Sequence, residues 1–253
     1  MKRWCCWLLL LCSTAWSHPL IKVGGYPYAP FVVKEGDNSY RGLTLDLIAE
    51  LNEIQRDVRF VFVPTSASHR YQALALGRFS LMLFEDIRWD WNADQVRMTR
   101  PLLLGGEIYV ALKAPGRDQS FFEHLEQRRL IGVTGYHYGV ADFNATPAEL
   151  KQRFDITLVK DNISALQGVF KGRGEVAMLN LSYLNQFSKQ YPQQAARLLR
   201  SDKWDQQYEL RALLSPTASV SASQLEAWLA ALQSSGRLTR LWTKYGVQHQ
   251  AAP

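Results

Sequence analysis

Two stretches of this chain repeat the same order of predicted elements, and this repeat limits the fold more than any other feature. Between Leu20 and Phe84, short apolar runs alternate with helical patterns in the order β-α-β-α-β. The same order starts again at Leu130 and ends at Leu179. Strands that alternate with helices are typical of sheets covered by helices on both faces. The sequence therefore predicts an α/β protein with two doubly wound α/β lobes.

The apolar runs and turn residues place the individual elements. Thr44 is predicted to cap the first helix, Gly77 to close the second, and residues 114–117 to form a turn. Residues 208–214 are predicted to form a last strand that precedes two helices of unassigned lobe. The other predicted strands are 20–23, 58–63, 79–84, 130–133, 156–159 and 176–179, an extended run covers 107–113, and the predicted helices are 45–54, 68–76, 147–154, 163–170, 221–233 and 237–245.

The segment 1–17 has the layout of a secretory signal peptide. Lys2 and Arg3 precede an apolar run, and small residues stand at positions −3 and −1 of a cleavage site before His18. The apolar run is too short for a membrane-spanning helix. A lipid anchor at Cys12 is the alternative, although Leu11 stands where a small residue is expected. We therefore expect residues 1–17 to be removed and the protein to be periplasmic.

Cysteine content and charge both narrow the class of protein. All three cysteines lie within the predicted signal peptide, so the exported chain would contain none. Folding without disulfides requires a large core, which a chain of this length can supply. The net charge of +6 includes no dense Lys/Arg block. We therefore expect no nucleic-acid partner. Separately, we expect the protein to be a monomer.

The strongest catalytic and metal-binding motifs are absent from the sequence. There is no G-x-S-x-G elbow, no phosphate-binding loop, no H-E-x-x-H and no C-x-x-C pair, and the five histidines are scattered. We accordingly expect no metal, no cofactor and no enzyme.

An aromatic and proline-rich segment follows the first predicted strand. Residues 24–31 read Gly-Gly-Tyr-Pro-Tyr-Ala-Pro-Phe. They stand at the carboxyl end of that strand, where open α/β sheets bind ligands, and aromatic rings offer flat apolar faces. Tyr26, Tyr28 and Phe31 are therefore candidate ligand-binding residues. The alternative interpretation is that these rings fill the core of their own lobe.

Short motifs along almost the whole exported chain, taken in their order and spacing, resemble one family. The chain resembles the periplasmic solute-binding proteins of family 3, which are type II periplasmic binding proteins and the receptors of amino-acid ABC transporters. The motifs are Tyr28-Ala29-Pro30-Phe31, Gly42 with Asp46-Leu47, Ala73-Leu74 with Gly77-Arg78, 129–133 (Arg-Leu-Ile-Gly-Val), Ala165-Leu166 with Gly172-Arg173, and the ending 228–246 with Ser235-Gly236-Arg237-Leu238 and Lys244-Tyr245-Gly246.

The resemblance implies a domain organisation and a mode of action. It implies that residues 18–112 together with 206–253 form lobe 1 and that residues 113–205 form lobe 2. The crossings lie near Leu112 and Gln206, and the C-terminal helices pack back on lobe 1. A small-molecule ligand would bind in the cleft between the lobes, which would close around it by a hinge motion.

The residues that usually recognise an amino acid in this family are not found at the matching positions. The arginine that binds the ligand carboxylate matches Asn92, and the aspartate that meets the ammonium group matches Asn180. The stacking aromatic residue matches Ala67. A shift in the alignment by a few residues is the alternative explanation. Otherwise these departures put an ordinary α-amino acid in doubt.

Other residues offer substitutes for the missing groups. The segment 84–91 contains Glu85, Asp86, Arg88 and Trp89, which together can pair charges and stack on a ligand. Arg88 is the candidate replacement for the missing arginine, and a solvated ion pair is the alternative.

Further candidates stand at the starts of helices and at the end of a strand. Arg70 begins the second predicted helix, where an anion is favoured, and Tyr136 and His137 follow a strand of lobe 2. Asn180 is also a candidate ligand-binding residue, because it matches the position of the family's ammonium-binding aspartate. Asp161 and Asn162 are explained by helix capping alone.

Three functions are compatible with these features. The first is an exported protein that captures a small polar solute, an amino acid or a related compound, and delivers it to a membrane permease of an ABC transporter. The second is a periplasmic sensory partner of a membrane receptor. The third is a periplasmic dehydratase-like enzyme on the same fold, in which Glu85, Asp86 or His137 would transfer protons.

Overall fold

The computed structural model describes residues 18–247, which form eleven strands and eight α-helices. The predicted signal peptide lies outside the described residues. The first part of the chain forms β1 (Leu20–Gly25), β2 (Val33–Lys34), β3 (Tyr40–Arg41), α1 (Leu43–Ile54), β4 (Arg59–Pro64), α2 (Arg70–Ala75), β5 (Leu81–Glu85) and β6 (Arg97–Met98). A long strand, β7 (Leu103–Leu112), then leads to β8 (Leu130–Val133), α3 (Pro147–Arg153), β9 (Ile156–Val159), α4 (Asn162–Phe170), β10 (Val176–Asn180), α5 (Leu181–Gln190) and α6 (Pro192–Ala195). The chain continues with β11 (Leu198–Leu214), α7 (Ala222–Ser234) and α8 (Arg237–Tyr245).

The strands pair in the order β4-β1-β5-β11-β7-β10-β8-β9. Strands β4, β1 and β5 are parallel, and we call them the first sheet. Strands β10, β8 and β9 are also parallel, and we call them the second sheet. The long strands β7 and β11 are antiparallel to each other and join the two sheets. The predicted α/β fold with two repeated halves is thus confirmed.

Most elements lie within a few residues of their predicted positions. The closing turn at Gly77 is confirmed by its φ of 68°, a conformation that favours glycine. The prediction for Thr44 was wrong, because α1 already begins at Leu43 after Gly42 and Thr44 is buried in its first turn. The carbonyl oxygen of Phe31 lies 2.4 Å from the position that a Cβ on Gly42 would take, so no other residue fits there.

The sequence analysis missed α5, α6, the β2–β3 hairpin and the first ten residues of β11. Strand β11 begins at Leu198 and not near residue 208. Its central part carries exposed charged residues, including Asp202 and Lys203, which lack the apolar alternation of a half-buried strand.

The C-terminal helices α7 and α8 pack against α1 of the first part of the chain. Lys244 and the hydroxyl of Tyr245 both bind the carboxylate of Asp46, at 2.6 and 2.7 Å. Arg237 forms an ion pair with Glu50 at 3.0 Å. The chain therefore returns to its first part after passing through the second, as the resemblance implied.

Three strands of the two sheets are buried along their whole length. Every residue of β5, β8 and β10 is buried, as expected for parallel strands covered on both faces. Within residues 18–247, no helix has the length and apolar character needed to cross a membrane.

Candidate ligand-binding site

The carboxyl ends of the two parallel sheets face each other across the joining strands. Tyr26 follows β1, Asp86 follows β5 and Gly135 follows β8. A small enclosed space lies between these ends, and we call it the central cavity. Its free space would hold about one water molecule, so side chains of the protein fill most of the region. The wall is formed by Tyr26, Tyr28, Arg70, Trp89, Glu107, Gly135, Tyr136, His137 and Gln206.

Aromatic rings from both sides of the cavity contact each other. The ring of Tyr136 lies edge-on to Tyr28 and Tyr26, with centroid distances of 5.5 and 6.1 Å. Trp89 lies edge-on to Tyr28 at 5.9 Å. Such edge-to-face pairs are favourable beyond the area that they bury. The cavity is therefore bordered by aromatic rings on several sides.

The phenol groups of the cavity donate their hydrogens to other protein groups. The Tyr28 hydroxyl donates to the Tyr208 hydroxyl at 2.8 Å. The Tyr136 hydroxyl donates to the carbonyl oxygen of Pro27 at 2.7 Å and so connects the two sides. Burial raises the pKa of both Tyr28 and Tyr136 well above that of a free phenol, so both stay neutral.

Arg70 is buried at the start of α2 and is paired with a carboxylate. Its Nε lies 3.1 Å from Oε2 of Glu85, and both side chains are 1% exposed. Nη1 donates to the carbonyl oxygens of Ala67 and, at 3.3 Å, of Gly135. The indole nitrogen of Trp91 donates to the same Glu85 oxygen at 2.8 Å. The charge of Arg70 is therefore neutralised inside the protein.

Three aromatic rings surround the guanidinium of Arg70. Its central carbon lies 4.3 Å from the ring centroid of Tyr71, 5.0 Å from that of Tyr26 and 5.8 Å from that of Trp91. These distances are in the range of cation–π contacts. Burial raises the pKa of Glu85, although Arg70, Trp91 and Tyr26 each act in the opposite direction.

Glu107 and Gln206 face each other where β7 and β11 pair. Nε2 of Gln206 donates to Oε2 of Glu107 at 3.0 Å and to the carbonyl oxygen of His137. Oε1 of Gln206 accepts a hydrogen bond from the Trp89 indole at 3.0 Å. Burial raises the pKa of Glu107 to about 8, the nearby Asp205 carboxylate adds to this, and the bond from Gln206 opposes it. Glu107 is thus a buried carboxyl group that has no cationic partner.

His137 connects the second sheet to the first. Its Nδ1 lies 2.6 Å from the carbonyl oxygen of Phe143, which can only accept, so Nδ1 carries a hydrogen. Its Nε2 lies 2.7 Å from the Tyr71 hydroxyl, and that hydroxyl is also 2.6 Å from the carbonyl oxygen of Trp89. Burial lowers the pKa of His137 to about 4, and Arg70 adds to this, although the bond to Phe143 opposes it. The imidazole is therefore neutral near pH 7.

Six of the ten candidate residues from the sequence lie on the cavity wall, and four do not. The six are Tyr26, Tyr28, Arg70, Trp89, Tyr136 and His137. The structure does not bring Phe31, Glu85, Arg88 or Asn180 to this wall. Glu85 lies behind Arg70 as its ion-pair partner.

Arg88 points away from the central cavity because a neighbouring acid holds it. Its Nη2 pairs with Oδ2 of Asp86 at 2.8 Å and also donates to the carbonyl oxygen of Gln207. The guanidinium carbon lies 5.3 Å from the ring centroid of Phe143. Arg88 therefore lies at the rim, where it contacts both sides of the molecule.

Phe31 and Asn180 have structural partners instead. Phe31 stacks behind Tyr28, with a centroid distance of 4.9 Å. The amide nitrogen of Asn180 donates to the carbonyl oxygen of Ala29 at 2.9 Å, and its oxygen caps α5 by accepting from the backbone of Tyr183 at 2.9 Å. Asn180 thus fastens the second sheet to the segment that carries Tyr28.

The two other positions that the resemblance singled out lie near the site without forming the cavity. Asn92 is exposed and accepts a hydrogen bond from the backbone of Asp94 at 2.9 Å. Ala67 is buried, and its carbonyl oxygen accepts from Arg70.

Two residues of the cavity wall, Glu107 and Gln206, were not identified from the sequence as site residues, and Gly135 belongs to the same loop as the predicted residues Tyr136 and His137. Glu107 stands within a predicted extended run, and its pairing with Gln206 depends on contacts between distant parts of the chain. Gly135 has a φ of 79°, and a Cβ there would lie 2.8 Å from the backbone nitrogen of Ser68. A glycine two residues after the predicted strand 130–133 was a signal for this close approach.

Backbone strain is concentrated around the site. The non-glycine residues with positive φ are Phe84, Asp90, Asp142 and Phe143, at 62°, 60°, 53° and 63°. The first two flank the segment that carries Trp89. Phe143 itself carries the carbonyl group that binds His137, and Asp142 directly precedes it. Strained residues of this kind persist where the surrounding structure holds them, often at ligand sites.

No metal site is evident in the part of the chain that the structure describes, since no three His, Cys, Asp or Glu side chains are placed to share an ion.

The arrangement is that of a periplasmic binding protein, with two α/β halves joined by two long strands and a site between them. A putative ABC-transporter binding component from Wolinella succinogenes DSM 1740, complexed with lysine, matches with 20% identity and a TM-score of 0.72 over 89% of this chain and 94% of that chain. A substrate-binding protein of an ABC uptake transporter from Streptococcus pneumoniae with bound histidine matches with 16% identity and a TM-score of 0.72, over 89% and 92% of the two chains. A histidine kinase sensor domain with similarity to periplasmic binding proteins matches with 17% identity and a TM-score of 0.72, over 92% and 99%.

The chain belongs to the bacterial extracellular solute-binding proteins, family 3, whose pattern matches residues 21–248. No curated protein matches the sequence.

Proposed function

We propose that this protein is an exported solute-binding protein that captures a small polar solute, an amino acid or a related compound, for an ABC transporter. The observation that carries the proposal is the composition of the central cavity, whose wall combines residues that follow strands of both sheets with residues of both joining strands. A solute in this position would contact both halves at once and would favour their closure. The family and the ligands of the two solute-binding relatives support the same function.

The direct contacts between the halves support a hinge. Three hydrogen bonds connect the half that contains the first sheet with the half that contains the second sheet. They join Tyr136 to Pro27, His137 to Tyr71 and Asn180 to Ala29. We propose that the lobes comprise residues 18–112 with 206–253 and residues 113–205, and that the protein acts as a monomer after the signal peptide is removed.

A thermal-shift screen tests the proposal. The purified protein is heated with amino acids, amines, organic acids and short peptides, and at least one class should raise its melting temperature. The variant Tyr136→Leu should lose this rise because it removes a wall residue. The matched variant Tyr191→Leu should keep it, since Tyr191 is 43% exposed and lies outside the central cavity. The absence of any shift across the panel would contradict solute capture.

A sensory role is the second candidate, and the match to a histidine kinase sensor domain favours it. In that case the closed protein would bind a membrane receptor and not a permease. Neighbouring genes for a permease and an ATPase would favour transport, whereas a kinase or cyclase gene would favour sensing.

We propose no catalytic step for this site. Glu85 and Asp86, the carboxylates considered for proton transfer, are each paired with an arginine.

A further inference from the structure

The hydrogen-bond donors of the central cavity are largely committed to protein acceptors. The hydroxyls of Tyr28 and Tyr136, the indole nitrogen of Trp89 and the amide nitrogen of Gln206 all donate to other protein groups. Nδ1 of His137 likewise donates to a backbone carbonyl group. A ligand carboxylate needs several donors to replace its water, and these side chains do not supply them without breaking existing bonds.

Two of the three nitrogens of Arg70, the cation on the wall, also donate to protein groups. Arg70 donates from Nε to Glu85 and from Nη1 to two backbone carbonyl oxygens. Because this pair is almost completely buried, releasing Arg70 would leave the Glu85 carboxylate without its charge partner. A ligand anion would have to compete with that carboxylate.

Acceptor capacity, by contrast, remains at the wall. The carboxyl group of Glu107 accepts one hydrogen bond, from Gln206, although a carboxylate offers about four acceptor positions. The rings of Tyr26, Tyr28, Trp89 and Tyr136 border the same space, and the π system of an aromatic ring is electron-rich. An acid without a cation beside several aromatic rings is suited to an ammonium or amine group.

We infer that the ligand of this site is a small organic amine or cation without a carboxylate, bound by Glu107 and by the surrounding aromatic rings. The inference rests on the proposed function, because it concerns the same cavity. The small free space favours ligands that are smaller than common amino acids or that leave the halves slightly further apart. A bound ammonium group would also favour the ionised form of Glu107, which burial otherwise disfavours.

Pairs of compounds that differ by one carboxylate test this inference. Isothermal titration calorimetry on the purified protein would compare methylamine with glycine, histamine with histidine, cadaverine with lysine and agmatine with arginine. At least one amine should bind at least tenfold more tightly than its amino acid. The inference is overturned if the amino acids bind as tightly as the amines or more tightly.

A pair of variants tests the role of the carboxyl group. Glu107→Gln keeps the size of the side chain and should weaken amine binding at least tenfold. Glu123→Gln changes an exposed glutamate and should bind as the unchanged protein does. Amine binding that is the same in Glu107→Gln would contradict the inference. If that variant does not fold, the inference is tested by the amine and amino-acid affinities alone, because those measurements need only the unchanged protein.

The outcomes separate the two proposals. Binding of amino acids without a preference for amines overturns the inference and leaves solute capture intact. Failure of every compound in the calorimetry and in the thermal-shift panel overturns both.

Discussion

Two arginine–carboxylate pairs lie close together in this protein, and they differ in how deeply the arginine is buried. Arg70 and Glu85 are both 1% exposed, with 3.1 Å between Nε and Oε2. Arg88 and Asp86 form a shorter pair of 2.8 Å, but the side chain of Arg88 is 46% exposed. The carboxylates are consecutive residues at the end of β5. Arg70 lies on the wall of the central cavity, whereas Arg88 lies at the rim.

The pKa values of the two acids move in opposite directions. Burial raises the pKa of Glu85 in spite of its charged partner. Burial also acts to raise the pKa of Asp86, but bonds from the side chain and backbone of Arg88 and from the backbone of Glu209 outweigh it and lower the value. We therefore expect the two pairs to contribute differently to stability, because loss of one partner costs most where both charges are buried.

The largest effect is expected for Arg70→Met. Removal of one partner from a buried pair leaves an uncompensated charge, so the free energy of unfolding should fall by about 3–5 kcal/mol. Urea denaturation followed by circular dichroism measures this change.

The double variant Arg70→Met/Glu85→Leu is the control for that result. It removes both charges and should be more stable than Arg70→Met alone, because apolar side chains of similar size can replace a buried pair. A double variant that is no more stable than the single one would show that the loss comes from packing and not from charge.

Glu107 provides a third case, a buried acid without an arginine. Its pKa of about 8 in the folded protein lies above its ordinary value, so the folded state keeps a proton that the unfolded state releases. The free energy of unfolding should therefore decrease as pH rises from about 5 to 8, by at most about 1.4 kcal/mol per pH unit from this group.

Urea denaturation at pH 5 and pH 8 tests this, with Glu107→Gln as the comparison. The difference in stability between the unchanged protein and the variant should shift in favour of the variant as pH rises. A difference that stays constant with pH would show that Glu107 is ionised in the folded protein.

The sequence predicted the sheets well because their strands are short, apolar and bounded by turn residues. Strand β8 at Leu130–Val133 and helix α8 at Arg237–Tyr245 have the predicted bounds. Strand β11 was mostly missed because its exposed central part follows from pairing with β7, which is a contact between distant residues.

The site was predicted less well, for a related reason. Tyr26, Tyr28 and Tyr136 were found because they follow apolar strands directly. Glu107 and Gln206 meet only after β7 and β11 pair, so nothing local to either residue indicates a cavity. The position of Arg88 depends on one local contact, with Asp86, and on one tertiary contact, with the carbonyl oxygen of Gln207.

The smallest effect is expected for Arg88→Met, the same substitution made at the rim. Because Arg88 is nearly half exposed, water already screens its charge, and the free energy of unfolding should change by about 0–1 kcal/mol in urea denaturation. The affinity for the strongest ligand of the panel should also stay within about twofold in calorimetry, since Arg88 does not border the central cavity. A tenfold loss of affinity, about 1.4 kcal/mol, would mean that Arg88 leaves Asp86 to reach the ligand. Both arginines would then serve the ligand site, and their positions would differ only in the ligand-free protein. Arg88, four residues before Asn92, would then take the role of the family's carboxylate-binding arginine.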